Sequence, residues 1–421
     1  MALKMEGQKV IRSLDVFWDG RIVGRYDLLD DGSELFVYDG GYLGSADVAP
    51  ISHSLPLRAD PYGKRQLRPF FAGLLPEESQ RQRIAAYLGL AESDDFSMLE
   101  AIGGECAGAL EIIPHGKAPH EDEDSLSPCD EERLLEIVKS LPYRPMMAGE
   151  NGLRLSLAGA QSKLPVVFKD GRFYLPENGT PSTHILKPEL SEWFKGIVGN
   201  EHCCMTLARA VGIPAAETRI VNVGDVPCLL VTRYDRSLDS VSGAVRRIHQ
   251  EDFCQALGRQ PEQKYQSDGG PLAREIVRLI RDGWSTTPAK DILAFVDLVV
   301  FNAIIGNADA HGKNFSMLYD GQNRRLAPGY DLVSTVFWPA LASAPAMTIG
   351  GSDSINSILS GHWRKFAQET GVSFTALRSR IAHLCTAVAA QTCEALAVPR
   401  ECEGVLAIVK ERAYRLKTGA V

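Results

Sequence analysis

No stretch of this chain approaches the ~20 uninterrupted apolar residues that a membrane helix requires. Its N-terminus, Met1-Ala-Leu-Lys-Met-Glu-Gly-Gln-Lys9, lacks the apolar run of a secretory signal. There are nine cysteines, an odd number, and no Cys-x-x-Cys pair. That pattern points to reduced thiols in a cytoplasmic protein rather than a disulfide framework or a thiolate metal site. Cys203 and Cys204 are adjacent on a predicted helix and point to different sides, so they cannot share a metal. The nine histidines show no ligand spacing. Basic excess is absent too: the net charge is −8 over 421 residues, which argues against binding nucleic acid through bulk charge. No internal repeat is visible. Apolar residues make up 45% of the chain, an ordinary soluble composition, and the length predicts two or three domains.

Two familiar phosphate-binding signatures are also missing. There is no Walker A sequence, and Gly103-Gly-Glu-Cys-Ala-Gly108 lacks the Gly-Lys-Ser/Thr ending that would make it one. There is no Gly-x-Gly-x-x-Gly loop. What is present is Gly306-Asn-Ala-Asp-Ala-His-Gly-Lys-Asn-Phe-Ser316, followed by Pro328-Gly-Tyr-Asp-Leu332. Asp309 and Asn314 have the Asp-x-x-x-x-Asn spacing of the second half of a protein-kinase catalytic loop. Asp331 falls a hairpin's length later, where a metal-holding acid belongs. Phosphoryl transfer needs a carboxylate to take the hydroxyl proton, and an amide oxygen and a second carboxylate to hold the metal against the phosphates. Lys313, beside the Asn, is placed to meet phosphate charge. Such residues are also ordinary loop formers. Here, however, an apolar segment, residues 292–305, runs straight into the loop, and a polar loop ending a buried helix suits chemistry.

Along the chain, Leu14–Trp18 and Arg21–Gly24 flank Asp19-Gly20, a hairpin signal, and Glu34–Tyr38 is a third strand. Helices are predicted over Glu77–Leu88 and Asp95–Ile102, then a strand over Ala107–Ile113. Residues 115–132 are acidic and poor in apolar side chains, a linker composition. Strands dominate 150–235: Arg154–Leu157, Leu164–Phe168, Arg172–Leu175, Thr183–Lys187 and Val226–Val231, with a helix over Asn200–Val211. The remainder reads as mainly helical. The predicted division is an N-terminal α+β subdomain (1–114), an acidic linker (115–132), a strand-rich ATP-binding lobe (133–235) and a helical catalytic lobe (236–421). The predicted fold is therefore α+β and bilobal in the manner of protein kinases.

Three further segments fit a nucleotide site. Leu157-Ala-Gly-Ala-Gln-Ser-Lys163 joins two predicted strands through small residues, so backbone N–H groups could approach phosphates; a plain β-turn is the simpler alternative. Lys187 ends an apolar strand, as the phosphate lysine of kinases does, and Glu201 opens the next predicted helix as its carboxylate partner. Val231-Thr-Arg-Tyr-Asp-Arg236 follows an apolar strand where a hinge would lie. Thr232 to Tyr234 could meet adenine and Asp235 could accept from ribose, or the segment could be a strand end with an ordinary salt bridge.

Taken together, the sequence resembles the HipA family of toxin kinases from bacterial type II toxin–antitoxin systems. The most specific blocks are Ser156–Lys163, Thr183–Lys187, Arg247–Gln255, Lys264–Gly270, Asp309–Ser316 and Tyr330-Asp331. Phe71–Glu77 and Ile102–Leu110 extend the likeness to the N-terminal part. The resemblance implies a serine/threonine-protein kinase using ATP and Mg²⁺. Asp309 would be the general base, with Asn314 and Asp331 binding metal. Ala158, Gly159, Ala160, Gln161, Ser162 and Lys163 would form the phosphate loop and Lys187 the phosphate lysine. Thr232, Arg233 and Tyr234 would lie at adenine, with His311, Gly312, Lys313 and Tyr330 around the nucleotide. It further implies self-phosphorylation at Ser156, neutralisation by a helix-turn-helix antitoxin, operator DNA bound through that antitoxin, and a protein substrate such as an aminoacyl-tRNA synthetase. It implies no membrane association. Departures from ordinary protein kinases are the missing Gly-rich loop, the absence of His-Arg ahead of Asp309, and Tyr-Asp-Leu in place of Asp-Phe-Gly. Two other readings fit the same residues: a small-molecule or lipid kinase, and a non-catalytic corepressor partner of a DNA-binding protein.

Overall fold

The structure is a computed structural model. It describes residues 8–117, 119, 126–150, 152–239 and 244–420. The first sheet holds β1 (Val10–Trp18), β2 (Arg21–Leu29), β3 (Glu34–Tyr38), β4 (Tyr62–Gly63) and β5 (Leu110–Pro114), in the antiparallel order β4-β3-β2-β1-β5. Asp19 and Gly20 make the β1–β2 turn with φ of 48° and 71°, the left-handed pair a two-residue hairpin demands. Helices α1 (Lys64–Phe71), α2 (Glu78–Leu88) and α3 (Asp95–Ile102) accompany this sheet. Leu14, Val16, Tyr26, Phe36, Phe71 and Phe96 build its core, each fully buried.

A second, six-stranded sheet has the order β10-β11-β9-β7-β8-β6, from β6 (Leu126–Cys129), β7 (Leu164–Lys169), β8 (Arg172–Pro176), β9 (His184–Pro188), β10 (Thr218–Val223) and β11 (Val226–Thr232). Helix α4 (Glu131–Ser140) lies before β7, and α5 (Ile197–Ala210) joins β9 to β10. Two expectations need correction here. The acidic stretch 115–132 is not all linker: Leu126–Cys129 pairs with β8, and Asp130 caps α4 by accepting the Arg133 N–H. Residues 118 and 120–125 of that stretch lie outside the described residues. Arg154–Leu157 is not a strand. Leu153, Leu155 and Leu157 are buried, but so is Ser156, and Leu155 makes only one bridge, to Glu105. The Arg154 guanidinium instead caps the carbonyls of Leu99, Glu100 and Ile112.

Beyond Thr232 come a two-stranded ladder, β12 (Arg236–Leu238) with β13 (Val245–Arg247), and a three-stranded sheet of β14 (His249–Asp252), β15 (Ser316–Asp320) and β16 (Asn323–Leu326). Helices α6 (Pro288–Ile305), α7 (Ser360–Thr370), α8 (Phe374–Ala389) and α9 (Glu403–Ala420) contribute to the largest core, together with α5 and the segments around them. In α6, Pro288 occupies the first turn, where its missing N–H is harmless, and apolar residues cover nearly every face. Of its two buried acids, Asp291 and Asp297, the second is held bidentately by Arg380 of α8 at 2.6 and 2.7 Å.

Candidate active site

Helix α6 stops at Gly306, whose φ is 71°. A Cβ there would fall 2.5 Å from Val336 Cγ2 and 2.7 Å from Arg412 Nε, so both the turn and the packing require glycine. The chain then enters a loop tied to the helix it has just left. Asn307 donates to Asn302 Oδ1 and accepts the Asp309 N–H at 3.0 Å. Thr335 accepts the Ala308 N–H and donates to the Gly306 carbonyl. The His311 N–H reaches the Asp309 carbonyl at 2.8 Å and Asn314 Oδ1 at 3.2 Å. Asp309 is thus presented at the solvent-facing mouth on a pinned backbone. Its carboxylate Oδ1 accepts a hydrogen bond from the Tyr265 hydroxyl at 3.0 Å. Enclosure by the surrounding protein pushes the carboxyl above its ordinary value, against the opposing pull of Tyr265 and Lys264.

Asp331 sits opposite, in the left-handed region at φ 56°, which Asp tolerates better than most residues. Its Oδ1 accepts from Lys187 Nζ at 2.5 Å, and its Oδ2 lies 3.4 Å from the Asn314 amide nitrogen. Lys187, at the end of β9, also donates to Glu201 Oε1 of α5 at 2.7 Å. Burial pushes the Asp331 carboxyl up, but Lys187 and Lys163 outweigh it and hold it down at about 2. Lys163 is pushed down to about 8 by burial and by Lys187. Its ammonium folds back onto the Ala158 carbonyl at 2.6 Å, across Gly159. Gly159 has φ 106°, and a Cβ on it would fall 2.5 Å from Lys163 Nζ, so this loop closes only with glycine there. Two ammonium groups and a left-handed glycine turn therefore face the acids of the other side, an arrangement able to hold a polyphosphate.

Other expected site residues lie elsewhere or point elsewhere. Lys313 is buried and its ammonium is taken by Glu77 Oε1 at 2.6 Å, with the Gly73 carbonyl at 3.3 Å; it anchors the loop from beneath rather than facing a phosphate. In the expected hinge, the N–H groups of Thr232 and Arg233 are already bonded to the Glu217 and Thr183 carbonyls. The Arg233 side chain is buried on Asp235 and Glu105, and Asp235 is shared with Arg236, so the segment is a salt-bridged strand end. These geometries leave Arg233 and Asp235 unavailable to a nucleotide. Tyr234 packs against the Tyr330 ring at 5.5 Å, and the Tyr330 hydroxyl bonds the Lys313 carbonyl and Ser316. His311 is half-buried and kept neutral, its pKa lowered to about 4 by burial and by Lys264; its Nδ1 has no partner among the described residues. Gly312 packs on Pro271 and Cys254 with no room for a Cβ. Ser162 accepts a hydrogen bond from Gln80 at 3.3 Å. Ser156 is fully buried, and its hydroxyl donates to the Leu74 carbonyl at 2.9 Å.

Four residues that sequence reasoning gave no role belong to the site: Glu77, Glu78, Lys264 and Tyr265. Lys264 donates to Glu77 at 2.9 Å and to Glu78 at 2.7 Å, and Glu77 also holds Lys313. Glu77, at the N-terminus of α2, thus joins the first sheet's domain to the loop 309–314. Its two lysines hold its carboxyl well below the usual range in spite of burial. Both blocks, Phe71–Glu77 and Lys264–Gly270, carried the family likeness, but nothing in the sequence paired them.

Comparison with known proteins accounts for nearly the whole chain. Residues 14–113 match the model of the HipA N-terminal domain, and residues 155–392, more than half the chain, match that of the HipA-like C-terminal domain. A Sinorhizobium fredii protein named "Putative kinase Y4mE" is 46% identical over 378 residues, covering 89% of each chain. The serine/threonine-protein kinase toxin HipA of Shewanella oneidensis is 31% identical over 347 residues, 80% of this chain and 78% of that one. The solved complex of the Shewanella oneidensis HipA, HipB and operator DNA contains a chain that superposes with a TM-score of 0.82 at 26% identity, over 96% of this chain and 97% of that one. No helix among the described residues is long and apolar enough to cross a membrane. By both domain models and by its relatives, this chain belongs to the HipA family.

Proposed function

We propose that this protein is a serine/threonine-protein kinase toxin of bilobal, kinase-like architecture that transfers the γ-phosphoryl group of ATP to a protein hydroxyl. The observation that carries the reading is the Glu201–Lys187–Asp331 chain of contacts facing Asp309 and Asn314. Lys187 has one fixed partner, Glu201, and one, Asp331, that it can exchange for phosphate oxygens. Lys163 and the turn at Gly159 add charge and close backbone approach. Asp309 is positioned to accept the proton of the attacking hydroxyl, which its ionised form alone can do. Mg²⁺, when bound, supplies neutralisation of phosphate charge. The donor set suits it: one carboxylate, Asp331, and one amide oxygen, Asn314, the rest being left to phosphates and water as this hard cation prefers. The Asn314 amide nitrogen faces Asp331, so binding there requires the amide to turn. No cluster of three metal-ligating His, Cys, Asp or Glu occurs among the described residues.

The family relationship extends the proposal. A helix-turn-helix antitoxin would neutralise the kinase and carry it to operator DNA, an aminoacyl-tRNA synthetase is the substrate class to test first, and Ser156 is the proposed self-phosphorylation site. The deciding experiment incubates the protein, and its Asp309→Asn variant, with labelled ATP and a cell lysate. A labelled protein is expected with the parent. Loss of a general base lowers the rate by about 10²–10⁴, so the variant should give almost none while still binding ATP. Near-normal single-turnover transfer by folded Asp309→Asn refutes the assignment, and label confined to small molecules or lipids refutes protein kinase activity.

A further inference from the structure

The segment 264–271 lies along the catalytic loop and is held rigidly. The Lys264 carbonyl accepts the Gly312 N–H at 3.2 Å, and Lys264 itself is fixed by Glu77 and Glu78. Gly270 is hemmed by the carbonyls of Gln263, Tyr265 and Lys264, each under 3 Å from where a Cβ would sit. Gln266 is bonded on both faces, donating its N–H to Ala346 and accepting from Thr348. Tyr265 therefore projects from a backbone with no slack. Its ring stands edge-on to His311 at 5.5 Å, and its hydroxyl donates to Asp309 Oδ1 at 3.0 Å. Asp309 Oδ2 takes no hydrogen bond among the described residues.

We infer that Tyr265 is a positioning residue for Asp309: by occupying Oδ1 it turns the free Oδ2 toward the phosphoacceptor hydroxyl. The inference rests on the kinase reading. A hydrogen bond of this kind favours the ionised carboxylate, so its loss raises the pH at which Asp309 ionises. At a solvent-facing carboxylate the expected shift is about one pH unit, since bonds to charged groups sit at the strength that one such unit represents.

The test is Tyr265→Phe, which keeps the ring on His311 and removes only the hydroxyl. The acidic limb of the kcat profile should move up by about one unit, kcat below that limb should fall about tenfold, and KM for ATP should stay within twofold. A second measurement needs no turnover. Titration of ¹³C-carboxyl-labelled aspartate by NMR, with the Asp309 signal identified by its loss in Asp309→Asn, should show the same upward shift of the midpoint. If Tyr265→Phe leaves the Asp309 midpoint where it is in the parent, the inference is overturned, whatever the activity. If the midpoint moves but an active parent and Tyr265→Phe share one pH profile, it is likewise overturned, while the kinase reading stands. Failure of the parent to transfer phosphate at all counts against the kinase reading and, with it, the catalytic meaning of the bond.

Discussion

Glu77→Gln is the perturbation that most directly tests whether the N-terminal domain is part of the catalytic apparatus. The substitution is nearly isosteric and removes one negative charge from beneath two ammonium groups, Lys313 at 2.6 Å and Lys264 at 2.9 Å. Lys264 keeps Glu78, which is well exposed. Lys313 keeps only the Gly73 carbonyl at 3.3 Å and the more distant charge of Asp252. Removing one partner of a buried pair typically costs about 3–5 kcal/mol. The glutamine oxygen can still accept one hydrogen bond, so about 2 kcal/mol is the expected loss, felt at residues 309–314, where Lys313 is anchored. A chain with several cores need not unfold in one step, so the local readout is the right one: hydrogen exchange of the peptide spanning 309–316. Two kcal/mol corresponds to roughly 30-fold faster exchange there. Slack of an ångström in a catalytic loop can cost on the order of 10²-fold in rate, so single-turnover transfer should fall by roughly ten- to a hundredfold. The pH dependence has a fixed sign. Glu77's carboxyl is depressed in the folded state, so its stabilisation is complete above its unfolded value and fades as pH falls through the folded one. The parent's 309–316 peptide should lose protection on that acid side, and Glu77→Gln should be flatter. Protection and transfer both within twofold of the parent, in a folded Glu77→Gln, would refute the reasoning.

Asn314→Ala and Asp331→Ala should each weaken the Mg²⁺ dependence of ATP binding, since each removes one of the two protein oxygens proposed for the cation; calorimetry with and without Mg²⁺ decides, and unchanged dependence removes the metal role. After incubation with ATP, mass spectrometry should find phosphate on Ser156 in the parent and none in Asp309→Asn. Phosphorylated protein should bind ATP more weakly and be cut more readily by protease within 157–163. The buried Ser156 hydroxyl has a carbonyl at 2.9 Å and no space for a dianion, so the segment must leave its place to carry one; equal affinity for ATP would discard the silencing mechanism.

Much of the candidate site could be proposed from the sequence because its key spacings are local. Asp309 to Asn314 spans one loop, Asp331 follows one hairpin, and Lys187 and Glu201 sit on consecutive elements, β9 and α5. In the N-terminal domain, the expected strand Glu34–Tyr38 and helix Asp95–Ile102 match the structure residue for residue. Local composition misled where a partner is far away in sequence. Leu126–Cys129 looks like linker because its flanks are acidic, yet its ladder partner, Arg172–Pro176, supplies the structure that its own residues do not signal.

The same cause explains the misplaced charges. A lysine beside Asn314 and an arginine at a strand end look free for a ligand until their acids are known. Lys313 finds Glu77, and Arg233 finds Glu105 together with its neighbour Asp235. Glu77 and Glu105 come from the N-terminal domain, and both are buried. Glu105 alone receives Arg233, Arg236 and Arg247, which closes the hinge segment onto β1–β5's side of the molecule. Enclosing a cation without such an acid is costly, and Lys313 and Lys163 divide by environment on that ground. Lys313, with a dedicated buried carboxylate, is structural. Lys163, whose nearest contact is only a carbonyl and whose pKa is pushed down to about 8, is short of negative charge. A polyphosphate would relieve that deficit, so Lys163 rather than Lys313 is the lysine we propose for the nucleotide.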